Sequence, residues 1–246
     1  MLNDLGTTLG RKALSNASYH EAKTFELFDL EWEKYPEIFG SLDVRGSTAY
    51  LTSCLPYEEG TAFLEMGCGA GVTAVVAALR GCDPVTALDI NPAAVRNTRA
   101  NARRHGMGGR VRAMRSDLFQ VLEPNDRFDL IYWNAPYIEA PAGALGTFDE
   151  YVLFDPGYSM HRTFLHTAHQ HLTEQGRVFM GFSAAAGNMD LIHEIADEAD
   201  LTCSIYEQET ADVSHQALGT APAYAAHADS KGMVQLDMTL LAFVQN

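Results

Sequence analysis

Four short groups of residues, each placed after an apolar run, carry the chemistry of this chain. The first is Glu65-Met66-Gly67-Cys68-Gly69-Ala70-Gly71, which follows Phe63-Leu64 and leads into the apolar run 72–79. Glycines take backbone dihedrals that a Cβ forbids and let the main chain approach a ligand closely. A helix that starts there adds N–H groups with no intrahelical partner. The second is Asp89, at the end of Val85-Thr86-Ala87-Leu88, where a carboxylate can accept from both hydroxyls of a ribose. The third is Ser116-Asp117-Leu118, where an acid can meet the exocyclic amine of an adenine. The fourth is Asn134-Ala135-Pro136-Tyr137, after 129–133. There an amide oxygen and the carbonyl of residue 135 can accept both hydrogens of an NH₂ group, which frees its lone pair. Tyr137 adds an aromatic face for a planar group. A glycine turn alone would serve any nucleoside cofactor; all four groups in this order favour S-adenosylmethionine over a nicotinamide.

Regular alternation of strands and helices positions these groups. Strands are expected at 61–66, 84–89, 110–115, 127–133, 177–183, 201–207 and 234–244. Helices are expected at 71–80, 92–105, 158–173 and 188–199, with Asn91-Pro92 starting the second and Gly176 ending the third. This alternation implies an α/β chain with a doubly wound, mainly parallel sheet. Before it, a helix is expected from Ser18 through Lys23, a short strand over 28–32, a turn over 35–40 and a helix over 48–55. Residues 138–157 and 211–232 fall outside the alternation and read as loops beside strand tips, either lids or plain surface.

These motifs resemble those of class I S-adenosylmethionine-dependent methyltransferases. Glu65 to Gly71 resembles motif I, Asp89 the ribose acid, Asp117 the adenine acid, and Asn134 to Ile138 the Asn-Pro-Pro-Tyr-Ile motif of the N-methyltransferases. The release-factor glutamine methyltransferase type is the nearest in pattern, and Asp155-Pro156-Gly157-Tyr158 echoes its downstream Asp-Gly-Gly block. The resemblance implies a Rossmann-like, seven-stranded sheet with an antiparallel last strand. It covers roughly 45–200, with a helical or cap extension expected at 1–55 and the donor-binding domain at 56–246. The cofactor set it implies is Glu65, Gly67, Cys68, Gly69, Gly71, Asp89, Ile90, Ser116, Asp117, Leu118 and Asn134. Asn134, Pro136 and Tyr137 are the catalytic loop, and Ala135, Tyr137, Asp155, Tyr158 and His161 are the expected substrate contacts. His161 would stand at the mouth, as a base for a hydroxyl acceptor, if a helix begins at Tyr158. Asp155 and Tyr158 have capping as their alternative role.

Two departures shape the expected acceptor. Ala135 stands where the motif has its first proline, and the region before Glu65 is shorter than a substrate-binding helical domain with its linker. Both favour a small molecule bearing an amide or guanidino nitrogen, with a protein glutamine as the alternative. A nucleic acid is disfavoured by the formal net charge of −15, which repels polyanions. The basic residues Arg96, Arg99, Arg103, Arg104, Arg110, Arg112 and Arg115 read as a solvated face. Asp29, Glu31 and Glu33 read either as a cation site or as the wet face of a strand.

With 47% hydrophobic residues, the 246-residue chain has the composition of a globular core. It has no apolar run near the ~20 residues a membrane span needs and no signal-like start, so a cytoplasmic enzyme is expected. Its four cysteines are widely spaced, and neither they nor the histidines of 161–171 complete a metal pattern.

Overall fold

The computed structural model describes residues 2–16, 22–39, 46–141, 143 and 145–246. Four elements precede the alternating region: α1 (Asp4–Asn16), β1 (Lys23–Leu27), β2 (Leu30–Lys34) and α2 (Ser47–Cys54). β1 and β2 form an antiparallel hairpin, with Phe25 opposite Trp32. Both residues of its two-residue turn are left-handed, Phe28 at φ 56° and Asp29 at φ 57°. That conformation suits the twist of a tight hairpin. The expected strand at 28–32 therefore begins in a turn, and Lys23 opens a strand rather than continuing a helix. Ser18, where that helix was to start, lies outside the described residues, as do Gly40 and Arg45.

The alternation then proceeds through β3 (Phe63–Met66), α3 (Val72–Leu79), β4 (Val85–Asp89), α4 (Pro92–Arg104), β5 (Val111–Arg115) and β6 (Phe128–Asn134). A small parallel pair follows, β7 (Ile138–Ala140) with β8 (Phe154–Pro156), around a 3-10 turn at Phe148–Val152. The chain closes with α5 (Ser159–Ala168), β9 (Leu172–Phe182), α6 (Met189–Glu198), β10 (Leu201–Ser214), α7 (His215–Leu218), α8 (Pro222–Ala226) and β11 (Met233–Gln245). Thus residues 211–232 hold the end of a long strand and two short helices rather than a loop.

The large sheet has seven strands in the order β10-β11-β9-β6-β3-β4-β5. Only β11 runs antiparallel to its neighbours. Strand order reverses between β3 and β6, and this is where ligands of open α/β sheets bind, outside the carboxyl ends. The middle strands are covered on both faces, so every residue of Phe63–Met66 is buried. One face packs under α2, α3 and α4, with Leu51, Val75, Val95 and Tyr132 among its buried residues. The other packs under α5 and α6, with Phe164, Ile131, Met180 and Ile195.

The helix expected at 158–173 stops early. A 3-10 turn at His169–His171 closes it, because Leu172 already pairs with Phe128 as β9 begins. Gly176 consequently lies inside β9, where an added Cβ would come 2.8 Å from the Phe128 carbonyl oxygen. Among the described residues no helix is long and apolar enough to cross a membrane.

Candidate active site at the carboxyl edge of the sheet

The glycine turn joins β3 to α3 beside that reversal. Gly67, Gly69 and Gly71 all have positive φ, at 66°, 52° and 80°. At Gly71 a side chain is also excluded by space, since a Cβ would lie 2.8 Å from Thr98 of α4. Glu65 braces the turn from below: its Oε2 accepts from the Ala74 amide at 2.8 Å. Burial raises its pKa from 4.5 to about 8, a rise that the bonds from Ala74 and Thr73 only partly offset. Cys68 is buried, and its sulfur accepts from the Thr98 hydroxyl at 3.2 Å. Burial pushes its thiol well above the usual range, so it serves as a small, inert filler of the turn.

The hairpin stabilises the turn through two fully buried asparagines of α4. The Asn97 side chain receives the Tyr35 amide at 2.7 Å and donates to the Glu33 carbonyl at 2.7 Å. Asn101 receives the Glu33 amide at 3.1 Å and donates to the carbonyls of Glu33 and Ala70, each at 2.8 Å. Ala70 belongs to the turn itself. Arg104 bridges Glu31 at 2.7 Å and Glu33 at 3.2 Å. These acids are therefore occupied by an internal cation rather than held open for a substrate.

At the tip of β4, Asp89 accepts from the Gly69 amide at 3.0 Å and from the Asn91 amide at 2.8 Å. Burial raises its pKa and the two amides pull it back. Asn91 caps α4 by accepting from the Ala93 amide at 2.8 Å. Ser116 is buried and structural, donating its amide to the Asp89 carbonyl and accepting from Val121. Asp117 is exposed, and Leu118 beside it is left-handed at φ 45°. A cleft of about 390 Å³ is lined by Ile90, Arg115, Ser116, Asp117, Gln120 and Val121. A second, of about 330 Å³, shares Ile90 and Arg115 and extends to Glu37, Asn91, Pro92 and Asp149. Ile90 is 43% exposed, an apolar platform between two acids.

Asn134 ends β6, opposite Gly181 of β9. Its side chain makes no hydrogen bond among the described residues. A Cβ on Gly181 would lie 2.8 Å from Asn134 Oδ1 and 2.6 Å from Leu51 of α2. That glycine therefore keeps the space in which the amide sits. Ala135 and Pro136 are buried, and Tyr137 is half-buried with its hydroxyl pKa raised by burial and by nearby Asp237. Tyr158 donates its hydroxyl to the Tyr137 carbonyl at 2.5 Å and accepts from the Asn188 amide at 2.9 Å. Asp237 of β11 accepts from Ser183, Ala184 and Ala185 at 2.9, 2.9 and 2.8 Å, fixing the loop that follows β9. Asn3 ties the start of α1 to that loop by donating to the carbonyls of Ala185 and Gly187.

Three expected substrate contacts are placed elsewhere. Asp155, Tyr158 and His161 are each 0% exposed. Asp155 caps α5 by accepting from the amides of Met160 and His161, at 3.1 and 2.9 Å, and from the Ser159 hydroxyl. It also takes His161 Nδ1 at 2.7 Å. His161 is thus locked in the core and cannot act as a base at the mouth. These residues support the loop from beneath because α5 is pressed onto the sheet by Phe164 and Leu165.

The residues at the edge fit S-adenosylmethionine: a turn with three positive-φ glycines, a carboxylate at the tip of β4, an exposed acid beside the adjoining cleft, and an unpaired amide at the tip of β6. Sequence reasoning passed over Gly181, Asn97, Asn101, Trp133 and Asp237. Gly181 had a readable signal, since a glycine inside an apolar strand marks a close approach.

The strand order and the site define a class I methyltransferase fold. Residues 29–205 match the methyltransferase small domain family, and the chain belongs to it. It is 33% identical over 134 residues to the ribosomal protein L11 methyltransferase of Pelotomaculum thermopropionicum, covering 46% of this chain and 43% of that one. It is 44% identical over 77 residues to the release factor glutamine methyltransferase of Bordetella pertussis, covering 30% of this chain and 27% of that one. It is 35% identical over 118 residues to the ribosomal RNA small subunit methyltransferase C of Serratia proteamaculans, covering 47% and 32%. The matched region thus spans less than half the length of each of these relatives. The Thermus thermophilus 16S rRNA N2 G1207 methyltransferase, solved with AdoMet and guanosine, shares the fold at a TM-score of 0.57 and 18% identity, covering 94% of this chain and 52% of that one.

Proposed function

We propose that the protein is an S-adenosylmethionine-dependent N-methyltransferase whose acceptor is a planar nitrogen of a protein side chain, of the glutamine amide type. The single observation behind this reading is the unpaired Asn134 amide, held over Gly181 one strand away from the glycine turn. Bound at the turn, S-adenosylmethionine supplies an electrophilic methyl carbon on a positively charged sulfur. Asn134 Oδ1 and the Ala135 carbonyl accept the two hydrogens of the acceptor NH₂ and direct its lone pair at that carbon. Tyr137 covers the planar group, and the Tyr158 hydroxyl keeps the loop from drifting. Positioning of this kind is worth up to ~7–11 kcal/mol in well-oriented systems.

A protein acceptor replaces the small molecule favoured by the sequence alone. The relatives carry names of enzymes acting on proteins and ribosomal RNA. Between those two, the net charge of −15 favours a protein. Within the arginine stretch Arg104 is paired with Glu31 and Glu33 and Arg110 with Asp83, which reduces its attraction for RNA, while Arg96, Arg103 and Arg112 stay exposed. The same proposal takes 1–55 as a cap and 56–246 as the donor-binding domain. Its support is the meeting of Leu51 and Asn134 over Gly181. A labelled-methyl assay offering release factor, ribosomal protein L11, ribosomal RNA and free glutamine tests the whole reading. Label on a protein amide is expected; label on RNA or free glutamine alone overturns the acceptor assignment.

A further inference from the structure

Trp133 precedes Asn134 in β6 and pairs in register with Met66, the residue before the glycine turn. A Cβ built on Gly67 would lie 3.2 Å from Trp133 Nε1 and 3.5 Å from its Cδ1. The N–H edge of the indole therefore faces the first glycine of the turn. Trp133 is 5% exposed, and its N–H makes no hydrogen bond within the protein among the described residues, which leaves it open at the turn. The other tryptophan, Trp32, donates its N–H to the Leu27 carbonyl at 2.8 Å.

The indole is also clamped. His161 packs on it at 5.2 Å between ring centroids and Phe164 at 4.8 Å. The Asp155 carboxylate can only accept, so His161 Nδ1 carries the proton between them, and the imidazole is fixed. An apolar ring would fill this wall equally well; the indole adds a donor that faces the turn. The titratable side chains at the turn and its two clefts include the acids Glu37, Glu65, Asp89, Asp117 and Asp149, with Arg115 turned to the Ile90 carbonyl. S-adenosylmethionine ends in a carboxylate, which an acidic site must hold with neutral donors.

Resting on the cofactor reading above, we propose that the Trp133 indole N–H donates to the carboxylate of the methionine end of S-adenosylmethionine. Trp133 is then a positioning residue: it fixes one end of the cofactor while its chain neighbour Asn134 fixes the acceptor.

Calorimetry on Trp133→Phe, with S-adenosylmethionine and with decarboxylated S-adenosylmethionine, tests this. Loss of a charge-assisted bond should weaken S-adenosylmethionine by about 10-fold or more and leave the decarboxylated compound unchanged. Equal weakening of both, or of neither, overturns the proposal. If wild type binds neither compound, the cofactor reading fails and this one with it, a result distinguishable from the variant's behaviour. Amide-correlation NMR of the unmodified protein gives a second measurement that needs no variant. One of the two indole N–H signals should move on adding S-adenosylmethionine and stay put with the decarboxylated compound; two unmoved signals overturn the proposal.

Discussion

Replacing Glu65 with Gln should make the stability of the empty protein insensitive to alkaline pH. Glu65 sits at the base of the turn with its pKa raised by burial from 4.5 to about 8. Between those values the folded chain keeps a proton that the unfolded chain has released. Stability therefore falls as pH rises across that window, and levels off above it. At ~1.4 kcal/mol per pH unit, the gap amounts to about 5 kcal/mol in all, of which about 3 kcal/mol is lost between pH ~6 and pH ~9. Gln keeps an oxygen for the Ala74 amide and cannot ionise. The variant should thus be the more stable by about 2 kcal/mol near pH ~6 and by about 5 kcal/mol near pH ~9, so that the gap widens by about 3 kcal/mol. For a chain of this size that corresponds to roughly 6–12 °C in Tm. Urea denaturation of both proteins at the two pH values measures it. Parallel stability curves would refute the claim that this carboxyl is held protonated by burial.

Asn134→Ala should leave cofactor affinity within about twofold and lower kcat by about 100-fold or more, read from single-turnover transfer; unchanged turnover would move the acceptor site elsewhere. Gly181→Ala should push the Asn134 amide and Leu51 aside and lower kcat with little change in cofactor Kd, whereas an unaffected kcat would show that the amide tolerates displacement. Tyr158→Phe removes a buried hydroxyl shared by the Tyr137 carbonyl and the Asn188 amide. It should cost about 1–3 kcal/mol in urea titration and raise the KM for the acceptor; a neutral change in both would show that the loop holds itself.

Local signals in the sequence located the sheet and the turn. Apolar runs of four to seven residues marked the buried parallel strands, and Asn91-Pro92 marked the start of α4 by its capping chemistry. Features fixed by distant contacts were not legible. The hairpin depends on Asn97 and Asn101, more than sixty residues away, so its alternating acids looked like a possible cation site. Asp155, Tyr158 and His161 carry polar groups that suit a mouth, yet Asp155 spends its oxygens on the first turn of α5 and draws the others into the core. Gly176 read as a helix stop because nothing local shows that Leu172 already pairs with Phe128. The proposed acceptor class rests on the names of macromolecular relatives and on charge rather than on any residue type in the loop.

The carboxamide links from α4 to the hairpin and to Ala70 have a further consequence for assembly. A fragment containing only β3 through β6 would possess every glycine of the cradle but lack the strand that Asn97 and Asn101 grip. Their amides would then turn to water, and of these links only the bond from Asn101 to the Ala70 carbonyl would remain. The nucleotide-style half of this protein is therefore buttressed from outside itself: the upstream ribbon grips the same helix that holds its ligand-shaping curve.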